Sequence, residues 1–163
     1  VIIVLKFLEI GTNKSEIMQS IVQDDNIVKA LINKDADFLD TDIPDGFVRK
    51  SLIYTQVLPY KFFPNVKTEE NIFISSKFRY EKDGNFFKIG YITFFIITHI
   101  NLVRTNEGIL RYDYVLNQID ELFNKDNSLT RIVGKMSLDE AEDIYINENW
   151  IGLLVKYRAS FIQ

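Results

Sequence analysis

The chain contains no cysteine and a single histidine, His99. Without thiols it can form neither disulfides nor thiolate metal sites, and one imidazole cannot supply a multi-histidine centre. The seven glycines are dispersed, so there is no glycine-rich phosphate loop. Lysine and arginine total 19 against 23 acidic residues, for a net charge of −4 and a pI of about 5.1. The cations are scattered, without the clustered stripe that marks a dedicated nucleic-acid surface. The apolar opening from Val1 to Ile10 is interrupted by Lys6 and Glu9, is too short to span a bilayer, and lacks the basic flank and small-residue site of a signal peptide. It reads as a buried strand or the first turns of a helix, with interfacial anchoring as a minor alternative. No membrane association is expected, and a cytoplasmic or virion setting fits.

What the chain has is apolar and aromatic mass, 47% hydrophobic residues with 13 Phe and 8 Tyr among 163. That is enough for one domain with a substantial core and argues against disorder. The most informative stretch runs from Phe86 to Phe123. Its second half, ILRYDYVLNQIDELF, places Tyr112, Val115, Leu116, Ile119, Leu122 and Phe123 on one helical stripe. Arg111, Asp113, Asn117, Asp120, Glu121 and Asn124 then occupy a wet surface, with Thr105 or Asn106 as the cap and Lys125 near the C-terminal dipole.

The first half, FFKIGYITFFIITHINLV, reads as a strand following an Asp83-Gly84 turn signal. Pairing Lys82 with Asn85 sets Tyr80 opposite Phe87, Phe78 opposite Ile89, Ser76 opposite Tyr91, Ile74 opposite Thr93 and Ile72 opposite Phe95. The other face then carries Lys77, Arg79, Glu81 and Lys88 near the turn, but Phe73, Ile92, Phe94 and Ile96 at the base. The base needs cover on both faces, from elsewhere in the chain or from another protein. A strand from Phe86 to Val103 would reach roughly 60 Å at about 3.3 Å per residue. Either a bend near Gly90 or a projecting hairpin arm over residues 72–96 is therefore expected.

Elsewhere the patterns are shorter. Asn13 and Glu16 have capping spacing, and Ile17, Ile21, Val28, Leu31 and Ile32 form an approximate stripe broken at Asp24-Asp25-Asn26. Residues 33–45 read as a solvated acidic loop, since no calcium-loop spacing is present. Leu52–Leu58 and Leu129–Val133 read as strands. Pro59-Tyr60-Lys61-Phe62-Phe63-Pro64 must be extended, its aromatics serving either an interface or the core edge. Ser137 and Glu140 suggest a short helix over SLDEAED, with a wet acidic face. In the last strand Ile151, Leu153, Val155, Tyr157, Ala159 and Phe161 point one way, and Lys156, Arg158 and Ser160 the other. His99 reads as a packed side chain.

The expected fold is a single α+β domain over residues 1–163, an antiparallel sheet with a long β-hairpin covered by two main helices. No catalytic, cofactor or metal site is readable, and the expectation is a protein that is not an enzyme and binds no cofactor.

The amphipathic NIVKALIN, the segment LPYKFFP before a strand, RTNEG leading into ILRYDYVLNQIDELF, and the closing IGLLVKYRASF together resemble the tail terminator or tail completion proteins of tailed bacteriophages. The resemblance spans most of the chain. Residues 1–10 and SLDEAED depart from the pattern. The resemblance implies a homo-oligomeric ring, expected as a hexamer, that caps the tail tube and joins it to the head connector in the virion neck after assembly in the host cytoplasm. Its partners would be further copies of itself, the tube and the connector, and DNA would pass through without specific binding. Interface candidates are Phe73, Phe94 and Ile96 as buried contacts, Lys77, Arg79 and Lys88 as polar contacts, and Tyr60 and Phe62 in the proline-aromatic segment. The alternative for the apolar ones is the chain's own core. Other functions kept open are a different phage structural subunit, of head closure or tail tube, and a small-molecule binding domain or unusual hydrolase.

Overall fold

The computed structural model describes residues 2–124 and 134–160. Helix α1 (Ile2–Gln23) passes straight through Gly11, so the opening segment is helical. It ends where Asp24 accepts a hydrogen bond from the Ile27 amide at 2.9 Å and caps α2 (Asp25–Ile32). The expected break therefore separates two helices. Strand pairing over Leu52–Leu58 narrows to β1 (Val57–Leu58), preceded by a 3-10 turn at Arg49–Leu52. Strands β2 (Ile72–Asp83) and β3 (Phe86–His99) form the hairpin, and α3 (Arg111–Asn124) follows. Where SLDEAED suggested a helix, the chain forms β4 (Lys135–Asn147), paired antiparallel with β5 (Trp150–Ser160). The ladder to β5 outweighs local capping chemistry. The expected strand at Leu129–Val133, the contribution of Lys125 and that of Phe161 lie outside the described residues.

The described residues form one five-stranded sheet in the order β1-β2-β3-β5-β4, antiparallel except for β1 with β2. The hairpin turn sits one residue later than the Asp-Gly signal suggested. Asp83 pairs with Phe86, and Gly84 takes φ +61° as the first of two turn residues, the position where a II′ turn wants glycine. Tyr80 pairs with Ile89 but Arg79 with Tyr91, which leaves Gly90 as the extra residue of a β-bulge. The bulge reverses the facing of everything beyond it. Ile72, Ile74 and Ser76 lie opposite Thr98, Ile96 and Phe94, so Phe94 and Ile96 share a face with Ile74, and Phe73 lies on the other.

A side chain at Gly90 would have its Cβ 2.4 Å from Cγ of Glu81. That neighbour is a flexible side chain that can swing outward, so Gly90→Ala is expected to cost less than about 1 kcal/mol in a urea titration. A loss above about 2 kcal/mol would show that the bulge itself requires glycine.

One face of the sheet packs against the helices. Ile92, Phe94, Ile96, Leu153, Val155 and Tyr157 meet Ile17, Ile21, Val28, Val115, Ile119 and Phe123 in the main core, with Phe123 5.1 Å from the Tyr157 ring. The stripe expected on α3 faces this core, as do Ile151, Leu153, Val155, Tyr157 and Ala159 of β5. Tyr157 donates to Asp120 at 2.8 Å, and burial together with that bond raises its pKa. The hairpin does not stand free of the helices, since α1 lies along it. Lys14 sits 4.8 Å from the Phe78 ring and 4.9 Å from Tyr80, and Phe7 stacks on Phe87 near the tip.

Arg111 departs furthest from expectation. It is fully buried, and its guanidinium stacks 4.5 Å from the Phe38 ring. Nε donates to the Leu102 carbonyl at 2.8 Å, Nη1 to those of Ala30 and Asn33 at 3.2 and 2.7 Å, and Nη2 to those of Lys34 and Asp35 at 3.2 and 2.8 Å. The cation thus satisfies the exposed carbonyl end of α2. Burial lowers its pKa to about 10, which leaves it protonated at neutral pH. Thr105, expected as a helix cap, instead donates to the Ile109 carbonyl at 2.6 Å and closes the loop before α3.

At its base the second face is covered by the chain itself. Leu58, Phe73, Phe95, Ile97 and Trp150 form a smaller cluster beneath Pro59-Tyr60-Lys61-Phe62-Phe63-Pro64. Phe62 lies 5.0 Å from Phe73, and Phe63 5.2 Å from Phe95. Ser75 donates to the Phe62 carbonyl, Asn147 to that of Pro64 and Asn149 to that of Val66. His99 is packed edge-on against Trp150 at 5.1 Å, and its Nδ1 accepts from the Asn101 amide.

Candidate functional site

Three residues expected at an interface are used within the chain. Phe94 and Ile96 are fully buried under the helices, and Phe73 lies under the proline-aromatic strap. The bulge at Gly90 is the physical reason, because it turns Phe94 and Ile96 inward. Phe62 is half-buried on Phe73 as part of the strap, whereas Tyr60 remains half exposed. Lys88 is partly buried, 3.4 Å from Asp83. Lys77 and Arg79 are exposed, and they lie on a surface with a definite organisation.

Strand β1 pairs with β2 only at Ile74 and Ser75. Beyond that point, from Lys77 to Asp83, no described residue pairs with the outer edge of β2. The strap covers only the base, so among the described residues the rest of that sheet face is open. Its centre is Tyr91, with Arg79 5.6 Å, Lys156 4.7 Å and Arg158 5.9 Å from the ring. These cations come from β2 and β5, either side of β3, because Arg79 and Arg158 both pair with Tyr91 in the ladder. Among the described residues neither Arg79, Arg158 nor Lys77 forms an ion pair; Lys156 lies 3.6 Å from Asp139.

The far edge has the opposite sign. On β4 only Met136 is buried, and Asp139, Glu140, Glu142 and Asp143 are exposed. Glu140 pairs with Lys156 and Glu142 with Leu154, on the open face. Asp143 points to the helix side; burial first, and Asp143 second, raise the pKa of the Asp113 carboxyl. Among the described residues nothing pairs with the outer edge of β4. The sheet is therefore polarised, cationic from β2 to β5 and anionic at β4.

Two concavities among the described residues carry no comparable chemistry. One, about 480 Å³, lies between α1 and the β1 region and is lined by Lys14, Ser15, Met18, Lys50, Tyr54 and Pro59. Another, about 650 Å³, is lined by Arg104, Thr105, Leu110, Asp113 and Ile151. Among the described residues no group of three or more His, Cys, Asp or Glu could hold a metal, and no described helix is long and apolar enough to cross a membrane.

A family model described as YomW matches residues 24–159, most of the chain. The chain belongs to the YomW family. That family name is phage-derived, which supports a bacteriophage protein. No curated protein and no solved structure matches the chain. The matched span of this YomW-family chain contains the open sheet face and both edges. Sequence reasoning placed Lys77 and Arg79 on the surface but missed Tyr91, Glu140 and Glu142 as parts of it. The alternation of Lys156 and Arg158 with buried residues was the available signal for β5. On β4 both faces are polar, so no apolar period-2 pattern distinguished it from a capped turn.

Proposed function

We propose that this chain is a structural subunit of a phage particle that assembles head to tail into a closed ring at the neck, in the manner of a tail terminator, capping the tail tube and offering a surface to the head connector. The observation that supports the reading is the polarised sheet, open among the described residues at two edges of opposite charge. Such edges fit copies of one chain to each other end to end, and a head-to-tail interface closes into a ring when its repeated rotation completes a turn, and runs on as a filament when it does not. The role requires no catalysis and no cofactor, and DNA would pass the ring without specific contact.

Light scattering over a concentration series, with the same samples viewed by negative-stain microscopy, tests the proposal. Closed rings of one size are expected, with dissociation favoured as salt screens the charged edges. Filaments would assign the chain to a tube instead. A monomer at every concentration, with or without added tail tubes, would end the neck reading.

A further inference from the structure

We propose that the free edge of β2 in one copy pairs antiparallel with the free edge of β4 in a second copy, setting Lys77 across from Glu142 and Arg79 across from Glu140. This rests on the head-to-tail reading above and specifies the surface that would carry it.

Three features of the sheet select this pairing. The first is direction. Successive neighbours from β2 through β3 and β5 to β4 are all antiparallel, so β2 and β4 run in opposite senses. If the next copy continues the sheet with its strands in the same orientation, its β2 meets this β4 antiparallel, which extends the ladder in its more stable form.

The second is charge. Cross-strand neighbours on one face interact directly, and like charges placed opposite each other are destabilising. Pairing β4 with β4 would bring Glu140 and Glu142 against each other, so that two-fold arrangement is disfavoured. Pairing β2 with β2 about Phe78 would set Lys77 against Arg79, but about Tyr80 it would set Arg79 against Glu81 and Lys77 against Asp83; that arrangement makes no use of β4, whereas β2 against β4 joins cations to carboxylates. Lys77 and Arg79 have no competing ion pair among the described residues.

The third is register. Lys77 and Arg79 lie on the open face, because they pair with Thr93 and Tyr91 opposite the helix-facing Phe78. Glu140 and Glu142 share that face with Lys156 and Leu154. A shift of one residue would turn the carboxylates away from the cations. A shift of two in one direction sets Glu140 beside Glu81. A shift of two in the other sets Glu142 beside Ser75, whose edge already pairs with Leu58 of β1. The remaining register also places the small Ala141 beside Phe78 on the helix side. Edge charges of this kind ordinarily guard a strand against unwanted pairing; complementary ones admit a single partner.

Charge reversal with mixing tests the pairing. K77E/R79E and E140K/E142K, each alone, are expected to weaken assembly by about tenfold or more, while each keeps the wild-type circular dichroism. An equimolar mixture is expected to restore rings, since the altered β2 edge of one variant then matches the altered β4 edge of the other. Because the chain has no cysteine, K77C mixed with E142C gives a second readout, expected to crosslink on mild oxidation far more than R79C mixed with E142C. If the wild type forms rings and either charge variant still assembles alone as the wild type does, or the mixture stays dissociated, the pairing is wrong and the ring uses another surface. Equal crosslinking of the two cysteine mixtures would overturn the register. If the wild type never assembles, the ring and the pairing fall together.

Discussion

Replacing Arg111 with methionine should destabilise the protein by about 4 kcal/mol, lowering the melting temperature by roughly 12 °C. Methionine approximates the aliphatic length of arginine, so the loss would be chiefly polar. Five main-chain carbonyls, from Leu102, Ala30, Asn33, Lys34 and Asp35, would lose their donor together. A buried acceptor left unpaired forfeits its solvation without return, about 1–3 kcal/mol for each in isolation, and relaxation with water entry brings the sum down. Arg111→Lys retains charge but not the planar fork and should fall between methionine and wild type. Asn117 on the exposed side of α3 serves as control, because its replacement by alanine should stay within about 0.5 kcal/mol. Urea titrations of the variants decide the matter. A methionine variant within 1 kcal/mol of wild type would mean that these carbonyls are readily rehydrated and that Arg111 does not anchor α2 to α3.

Gly152→Ala is expected to be the other severe substitution, costing about 3 kcal/mol or more. A Cβ at this position would stand 2.1 Å from the Ile96 carbonyl oxygen and 3.0 Å from the Ile97 Cα. Both are main-chain atoms of the central strand β3, which is held on its other side by β2. Unlike Glu81 beside Gly90, they cannot swing away. The strands must separate or the ladder must break, and either loss falls between the two main core clusters. The measurement is again a denaturant midpoint, compared with Ala141→Gly on the exposed edge strand, which should cost no more than about 1 kcal/mol. An unchanged midpoint for Gly152→Ala would show that β5 can slide relative to β3 without penalty.

The α+β class, the layer of helices and the inward face of β5 were legible because in each case one side of an element is apolar and the other wet. Ile151, Leu153, Val155, Tyr157 and Ala159 display that contrast at period two, and Val115, Ile119 and Phe123 at the helical period. The break at Asp24 was legible because its side chain makes a local bond. What could not be read depends on distant partners. Arg111 has the polarity of a surface residue, and four of its five acceptors are supplied by the end of α2 and the loop after it, remote in sequence. The bulge at Gly90 moves one residue out of register and exchanges the roles of Phe94 and Phe95, which no pattern within either strand records. Strand β4 owes its form to pairing with β5. The candidate site combines these difficulties, since Lys77 and Glu142 become opposite ends of one surface only when the strand order is known.

The only tryptophan lies beneath the proline-aromatic strap, fully buried between His99 and Phe73, with its indole nitrogen unpaired among the described residues. The molecule therefore carries an optical reporter for one side of the sheet alone. Fluorescence emission senses water at the strap while remaining insensitive to events confined to the helical layer, so detachment of the strap can be distinguished from global unfolding without adding a label.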